Sequence, residues 1–104
     1  MKKILLGNGK KYYKANLHCH STISDGKKTP KELKEMYMSR GYSIIAYTDH
    51  DIMLPHFDLA DENFLPLTGF EIEIEDTKAE GSARLKNCHL CYIAIDPDNV
   101  RQVC

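Results

Sequence analysis

No run of apolar residues in this sequence is long enough to cross a membrane. A spanning helix needs roughly 20 apolar residues in succession. The apolar stretch within Met1–Leu6 stops at Gly7 after three residues, whereas the hydrophobic region of a secretory signal peptide is roughly 7 to 15 residues long. We therefore expect a cytoplasmic protein without a membrane partner.

Cysteine and net charge are also scarce. The four cysteines, Cys19, Cys88, Cys91 and Cys104, are too few and too unevenly spaced for a disulfide framework, which favours a reducing compartment. Because 14 basic residues nearly cancel 15 acidic ones, no broad basic surface for nucleic acid or anionic lipid is indicated, although a local groove could still be basic. With 42% hydrophobic and 28% charged residues, the 104 residues are typical of one small globular domain.

The most informative segment contains a pair of histidines followed by an aspartate and a glycine. On an extended segment alternate residues share a face, so His18 and His20 project together while Cys19 points away. Gly26 permits a turn that brings Asp25 back toward them. Imidazole and carboxylate together are typical ligands of zinc, iron and manganese. Taken alone, however, the histidine pair is better explained as a strand end with two surface side chains.

An N-terminal β-hairpin is the first element that the sequence predicts. Asn8-Gly9 suits the positive φ angles of a type I′ turn, and apolar residues flank it at Lys3–Leu6 and Lys11–Leu17. The second arm of this hairpin delivers the histidine pair at its carboxyl end.

A helix is then predicted over residues 30–40. Thr29 is its N-cap, Glu32 completes a capping box, and Gly41 lies where a C-terminal glycine belongs. The apolar run Ser43–Thr48 has the composition of a strand buried on both faces of a parallel sheet. Strand, helix and strand form a βαβ unit, and active sites of α/β proteins assemble at the carboxyl edge of such strands.

The second half of the chain predicts a loop and two further strands. Ile52–Asn63 predicts a loop with at most a short helix. Phe64–Asp76 predicts a strand that is interrupted by Gly69 and has one acidic face. Thr77–Asn87 predicts an exposed hairpin loop, and Cys88–Ile95 predicts a final strand.

Six residues near the predicted strand ends and turns carry side chains that bind metals. They are His18, His20, Asp25, His50, Glu71 and His89. If those ends converge, the six side chains are more ligands than one mononuclear site uses. We therefore predict two or three divalent ions that share a carboxylate. Centres of that type usually hydrolyse phosphoesters with an activated water.

The motifs also occur in a recognisable order along the chain. They are His18-x-His20, Ser24-Asp25-Gly26, Thr29-Pro30-x-Glu32-Leu33, Gly41-Tyr42, Thr48-Asp49-His50 and Gly69-Phe70-Glu71-Ile72. In order and spacing they resemble the first three motifs of the PHP (polymerase and histidinol phosphatase) superfamily of phosphoesterases. The resemblance covers roughly residues 14 to 95.

The resemblance implies a fold as well as a reaction. The fold is α/β, a partial (βα)7-type barrel with its first strands and helices only, preceded by the N-terminal hairpin. A single partial domain is then expected, with the hairpin at 1–13, the motif-bearing half-barrel at 14–95 and a C-terminal tail at 96–104.

The resemblance also implies a trinuclear centre of zinc, manganese or iron. His18 and His20 would bind one ion, and Glu71 would bridge it to a second ion. His89 would bind that second ion, while Asp25 and His50 would hold the third. The residues expected to act in catalysis are Asp49 and His50, with Asp49 orienting a ligand.

The later strands and ligands of the superfamily have no counterpart in the sequence. We therefore expect either the N-terminal portion of a larger phosphoesterase or a reduced relative that completes itself as a homo-oligomer. The substrate is expected to be a phosphorylated small molecule, a nucleotide or an oligonucleotide. The alternative is a non-catalytic metal-binding or assembly module that keeps a partial ligand set.

Some of these residues also have a purely structural explanation. His89 shares a strand face with Cys91, and a core or surface histidine is the alternative to a ligand. Cys88-x-x-Cys91 has the spacing of half a zinc knuckle, but the two side chains of a strand at this spacing point to opposite faces and no second pair exists. Cys19 is expected to be a small buried filler, and His56 is expected at the surface.

Overall fold

The fold consists of one mixed sheet and one α-helix over residues 11–75, 87–96 and 101–102, which the computed structural model describes. In chain order the elements are β1 (Lys14–Cys19), α1 (Pro30–Met38), β2 (Tyr42–Tyr47), a 3₁₀ turn (Phe57–Leu59), β3 (Leu65–Glu75) and β4 (Asn87–Ile93). The strands are hydrogen-bonded in the order β1-β2-β3-β4. Sequence order and spatial order therefore coincide.

Helix α1 begins and ends close to where the sequence predicts. The Thr29 hydroxyl accepts a hydrogen bond from the Glu32 amide, and the Glu32 carboxylate accepts one from the Thr29 amide, each at 3.2 Å. Pro30 occupies the first helical position, where its missing N–H leaves no carbonyl unsatisfied. Past the helix, Gly41 has a φ of 86°, a left-handed conformation that favours glycine. No helix among the described residues is long and apolar enough to span a membrane.

The hydrophobic core lies where α1 packs on β1 and β2. These two strands are parallel neighbours, so the predicted βαβ unit is confirmed. The Tyr47 hydroxyl donates a hydrogen bond to the Pro30 carbonyl at 2.8 Å, which ties β2 to the start of the helix. The buried apolar cluster comprises Cys19, Leu33, Ile45, Tyr47, Leu59 and Phe64. The expected burial of Cys19 is thus confirmed.

Strand β3 pairs in two different ways along its length. Its first part, Leu65–Thr68, runs parallel to β2. Its second part, Gly69–Glu75, runs antiparallel to β4. A Cβ at Gly69 would collide with the Tyr92 carbonyl, so the close approach of β4 requires glycine at this point. The strand is therefore continuous through Gly69, whereas an interruption was expected.

The expectation of a partial (βα)7-type barrel is wrong. The described residues are 43% strand and 16% helix and form a curled four-stranded mixed sheet. A barrel of that type places a helix after each strand and keeps neighbouring strands parallel. Here the β2–β3 connection contains only the 3₁₀ turn, and β3 and β4 are antiparallel. Antiparallel neighbours can be joined by a short polar loop, so no crossover helix is needed between them.

Two predicted loops lie outside the described residues. One is the Asn8-Gly9 turn together with the first arm of the N-terminal hairpin, and the other is the hairpin loop after β3 except for Asn87. The strands on either side of that second loop, β3 and β4, are antiparallel neighbours, as a hairpin requires. Within the segment predicted as the second arm, Lys14 begins β1 and pairs with Tyr42 of β2.

We predict that Thr29→Ala lowers the free energy of unfolding by about 1 kcal/mol, because the Glu32 amide loses its acceptor. Thr29→Ser is the matched control, since it keeps the capping hydroxyl and should remain close to the wild type. Chemical denaturation followed by circular dichroism measures both changes. Equal losses in the two variants would show that the cap does not stabilise the helix.

Candidate metal centre

The candidate site lies at the carboxyl ends of the parallel strands. β1 carries His18 and is followed by His20. His50 follows β2 and forms an isolated parallel bridge with Glu71 of β3. His89 enters from the antiparallel strand β4. Because these strand ends meet at one edge of the sheet, five of the six predicted ligands lie together there.

The centre of the cluster is the Glu71 carboxylate, whose side chain is only 6% exposed. Its Oε2 lies 2.5 Å from His20 Nε2, 3.7 Å from His50 Nδ1 and 3.9 Å from His18 Nε2. Its Oε1 is hydrogen-bonded to His89 Nδ1 at 2.8 Å. Burial alone would raise the pKa of Glu71, but the bond with His89 and the interactions with His18 and His20 lower it below its usual value. The carboxylate is therefore ionised at neutral pH.

Asp25, the sixth predicted ligand, closes the cluster on its exposed side. Oδ1 lies 2.8 Å from His20 Nδ1, and Oδ2 lies 3.2 Å from His50 Nε2. The hydrogen bond with His20 is the main reason that the pKa of Asp25 lies below its usual value. His20 and His50 each face Asp25 with one ring nitrogen and Glu71 with the other. The two imidazoles thus stand between two carboxylates.

The loop that carries His20 and Asp25 is held in place by Asp49. Asp49 is 3% exposed, and its carboxylate accepts hydrogen bonds from the Ser21 amide at 2.6 Å, the Ser21 hydroxyl at 2.9 Å and the Ser24 hydroxyl at 2.7 Å. Asp49 thus holds the loop that carries the candidate ligands, and its predicted part in catalysis stays a prediction. Its carboxylate lies beneath that loop instead of among the imidazoles.

Gly26 is needed for close packing of the same loop. A Cβ at this position would collide with the His20 carbonyl and the Ser21 backbone. Among the described glycines only Gly41 has a positive φ. The turn at Gly26 was correctly expected. Glycine is needed there because a side chain would collide with the loop, and not because the backbone is left-handed.

Sequence reasoning missed two residues of the cluster, Thr48 and Cys91. The buried Thr48 hydroxyl lies 2.9 Å from His18 Nδ1 and accepts a hydrogen bond from the β1 backbone, which orients the ring with Nε2 toward Glu71. Cys91 Sγ lies 3.2 Å from the same Nδ1, and partial burial together with the Glu71 charge raises the pKa of Cys91. The sequence held a signal for Cys91, which follows His89 on the same strand face.

The donor atoms fit divalent metal ions. They form two groups, each within 4.8 Å: His20, His50 and Glu71, and His18, Glu71 and Cys91. His20 Nε2 and Glu71 Oε2 are both buried and lack a hydrogen-bond partner of suitable geometry, although they lie 2.5 Å apart. Unpartnered buried polar atoms are costly, and a cation held by both would satisfy them. These residues could therefore hold a metal ion, while the choice of zinc, manganese or iron stays a prediction.

The fifth histidine of the chain lies apart from this cluster. His56 was expected at the surface, and that expectation is wrong, because the residue is 7% exposed. Its ring packs on Tyr47 with centroids 4.5 Å apart. The 3₁₀ turn that follows His56 folds this segment against the core, and burial lowers the pKa of His56. His56 is a core residue.

We predict that Asp49→Asn weakens metal binding by about 10- to 100-fold without removing a ligand, because an amide cannot accept all three loop hydrogen bonds. Asp51→Asn is the matched control on the same segment, since Asp51 is exposed and its φ of 60° is tolerated by asparagine. Titration with zinc, followed by calorimetry, compares the two variants. Wild-type affinity in Asp49→Asn would contradict the positioning role.

Comparison with known proteins gives one short similarity. No family model matches the chain. A 5'-3' exoribonuclease from Haemophilus influenzae (strain ATCC 51907 / DSM 11121 / KW20 / Rd) is 48% identical over 38 residues, which are 36% of this chain. The aligned segment is 14% of the exoribonuclease, so the chain matches only a small part of that relative. The similarity is thus a local one, to an enzyme that hydrolyses nucleic acid.

Proposed function

We propose that this chain is a metal-dependent phosphoesterase related to the PHP superfamily, and that it acts on the 5' end of an oligoribonucleotide. The observation that carries the proposal is the buried Glu71 carboxylate, which four imidazoles surround. Two of the buried atoms that face each other there, His20 Nε2 and Glu71 Oε2, lie 2.5 Å apart but make no hydrogen bond of suitable geometry. That arrangement is typical of a carboxylate that bridges metal ions.

Each residue of the cluster has a distinct part in the proposed site. Divalent ions bound there would polarise the phosphoryl group and activate a water molecule. Glu71 supplies the negative charge that holds the ions, and His20 and His50 fix its position from one side. Asp25 borders the open side, where a substrate arrives. Thr48 keeps the His18 ring oriented by its hydrogen bond to Nδ1.

The electrostatics of the open side support a requirement for cations. Asp25 is 63% exposed and Glu73 is 44% exposed, and both lie beside the histidine cluster. A phosphate group that approached these carboxylates in the absence of cations would be repelled. Bound metal ions reverse the sign of the local charge, so a phosphoester can approach only the loaded site.

An RNA substrate is supported by the local similarity to the 5'-3' exoribonuclease. The site is also open to solvent, because the side chains of His18 and His89 are 54% and 47% exposed. An open site at the edge of a sheet can admit the end of a polymer, which an enclosed pocket for a small metabolite cannot. The overall charge of −1 provides no general attraction for RNA, so recognition depends on the terminal phosphate.

We predict that purified wild-type protein contains more than one equivalent of zinc, manganese or iron, measured by elemental mass spectrometry. Glu71→Gln should lose most of this metal, because an amide cannot supply the charge that the ions require. Glu75→Gln is the matched control, since Glu75 lies on the same strand and is exposed outside the cluster. Metal-free wild-type protein, or full metal content in Glu71→Gln, would overturn the proposed centre.

A second prediction concerns the substrate. Manganese-loaded protein should release mononucleotides from an oligoribonucleotide with a 5'-phosphate and act more slowly on the 5'-hydroxyl form, whose end lacks the charge that the ions hold. A chelator and Glu71→Gln should each abolish the activity, whereas Glu75→Gln should retain it. Product analysis on denaturing gels measures the release. Loaded protein that cleaves neither RNA nor an aryl phosphate would refute the phosphoesterase and favour a non-catalytic metal-binding module.

A further inference from the structure

A thiol lies inside the predicted metal cluster. Cys91 is on β4 directly opposite Glu71 in the antiparallel register. Its Sγ lies 3.2 Å from His18 Nδ1. Donor atoms of His18, Glu71 and Cys91 all lie within 4.8 Å of one another. This group differs from the group of His20, His50 and Glu71, which contains nitrogen and oxygen donors only.

A second observation points to a ligand at the same position. Glu71 Oε2 belongs to a side chain that is only 6% exposed, and it makes no hydrogen bond of suitable geometry even with His20 Nε2, which lies 2.5 Å away. It also lies 3.9 Å from His18 Nε2, so this buried carboxylate oxygen faces the same space as the His18 imidazole. Imidazole nitrogens and a carboxylate oxygen that meet at one point are typical ligands of a divalent cation.

We propose that Cys91 is a metal ligand, and that its thiolate, with His18 and Glu71, forms a binding position selective for zinc over manganese. The inference rests on the metal binding proposed above and adds a second kind of position to it. On binding, the S–H bond breaks, the proton passes to solvent and a sulfur–metal bond forms. Soft thiolate donors favour zinc, whereas manganese prefers positions without sulfur where carboxylate or water oxygens are available.

The two positions share Glu71 but differ in their other ligands. His20 and His50 complete one position with nitrogen donors. His18 and Cys91 complete the other, where the sulfur of Cys91 is a softer donor than nitrogen or oxygen. The centre is therefore chemically asymmetric, and the two positions should fill with different preferences when zinc and manganese compete. The asymmetry comes from a single side chain on β4.

Cobalt substitution tests the proposal directly, since a thiolate bound to Co(II) gives a charge-transfer band in the near ultraviolet that nitrogen and oxygen ligands do not give. The full chain is titrated with Co(II) without oxygen as wild type, Cys91→Ser and Cys88→Ser. Cys88 is the matched control, because it is exposed on the same strand and its spacing from Cys91 places it on the opposite face. Cys104→Ser is a further control for a thiol outside the described residues.

The band is expected in the wild type and in both control variants, and it should be absent from Cys91→Ser. Visible Co(II) bands should persist in Cys91→Ser, because the nitrogen and oxygen position remains. Zinc affinity at the thiolate position should fall by at least about tenfold, and manganese affinity at the other position should stay the same. Cys91→His should restore metal occupancy without the band, which separates loss of a ligand from loss of folding.

Visible bands without a charge-transfer band in the wild type would overturn the assignment of Cys91 and leave the proposed metal centre intact. An unchanged charge-transfer band in Cys91→Ser would overturn it equally. Wild-type protein that binds no cobalt at all would instead contradict the metal centre itself and the inference with it.

Discussion

Burial of the Glu71 carboxylate is the constraint on which the rest of this structure depends. A carboxylate that is removed from water must be compensated by nearby positive charge or by hydrogen bonds. Imidazoles on β1 and β4 and in the segments that follow β1 and β2 surround it, and His89 supplies a direct hydrogen bond. Strand order, the tight loop at Gly26 and the hydrogen bonds of Asp49 all keep those imidazoles within reach. The fold thus supplies the groups that compensate the burial of the Glu71 carboxylate.

The change of pairing along β3 explains how the scaffold achieves this. Before Gly69 the strand lies beside parallel β2, and after Gly69 it lies beside antiparallel β4. Glu71 follows directly after this change, so it receives partners from both kinds of neighbour. In the antiparallel register Cys91 lies opposite Glu71 and His89 lies opposite Glu73, and this pairing brings both side chains to the carboxylate.

Local signals in the sequence predicted most of the elements, and the six residues predicted as ligands lie together in the structure, although their metal binding stays a prediction. The α1 boundaries depend on Thr29, Glu32 and Gly41, whose effects act within a few residues and are therefore visible in the sequence. Which strands become neighbours depends on pairing between distant parts of the chain. The expected barrel is therefore wrong, although the position of β3 along the sequence was predicted well. His56 shows the same limit, because only the folded chain reveals that Tyr47 covers it.

The candidate ligands come from two parts of the sheet: the βαβ unit carries His18, His20 and His50, and the β3–β4 ribbon carries Glu71, His89 and Cys91. An ion held by residues of both parts would couple local unfolding of the ribbon to ion concentration. The ribbon has an edge strand whose seven residues are all exposed, so it gains little from burial on its own. A ligand that joined this strand to the βαβ unit would therefore slow amide exchange in β4.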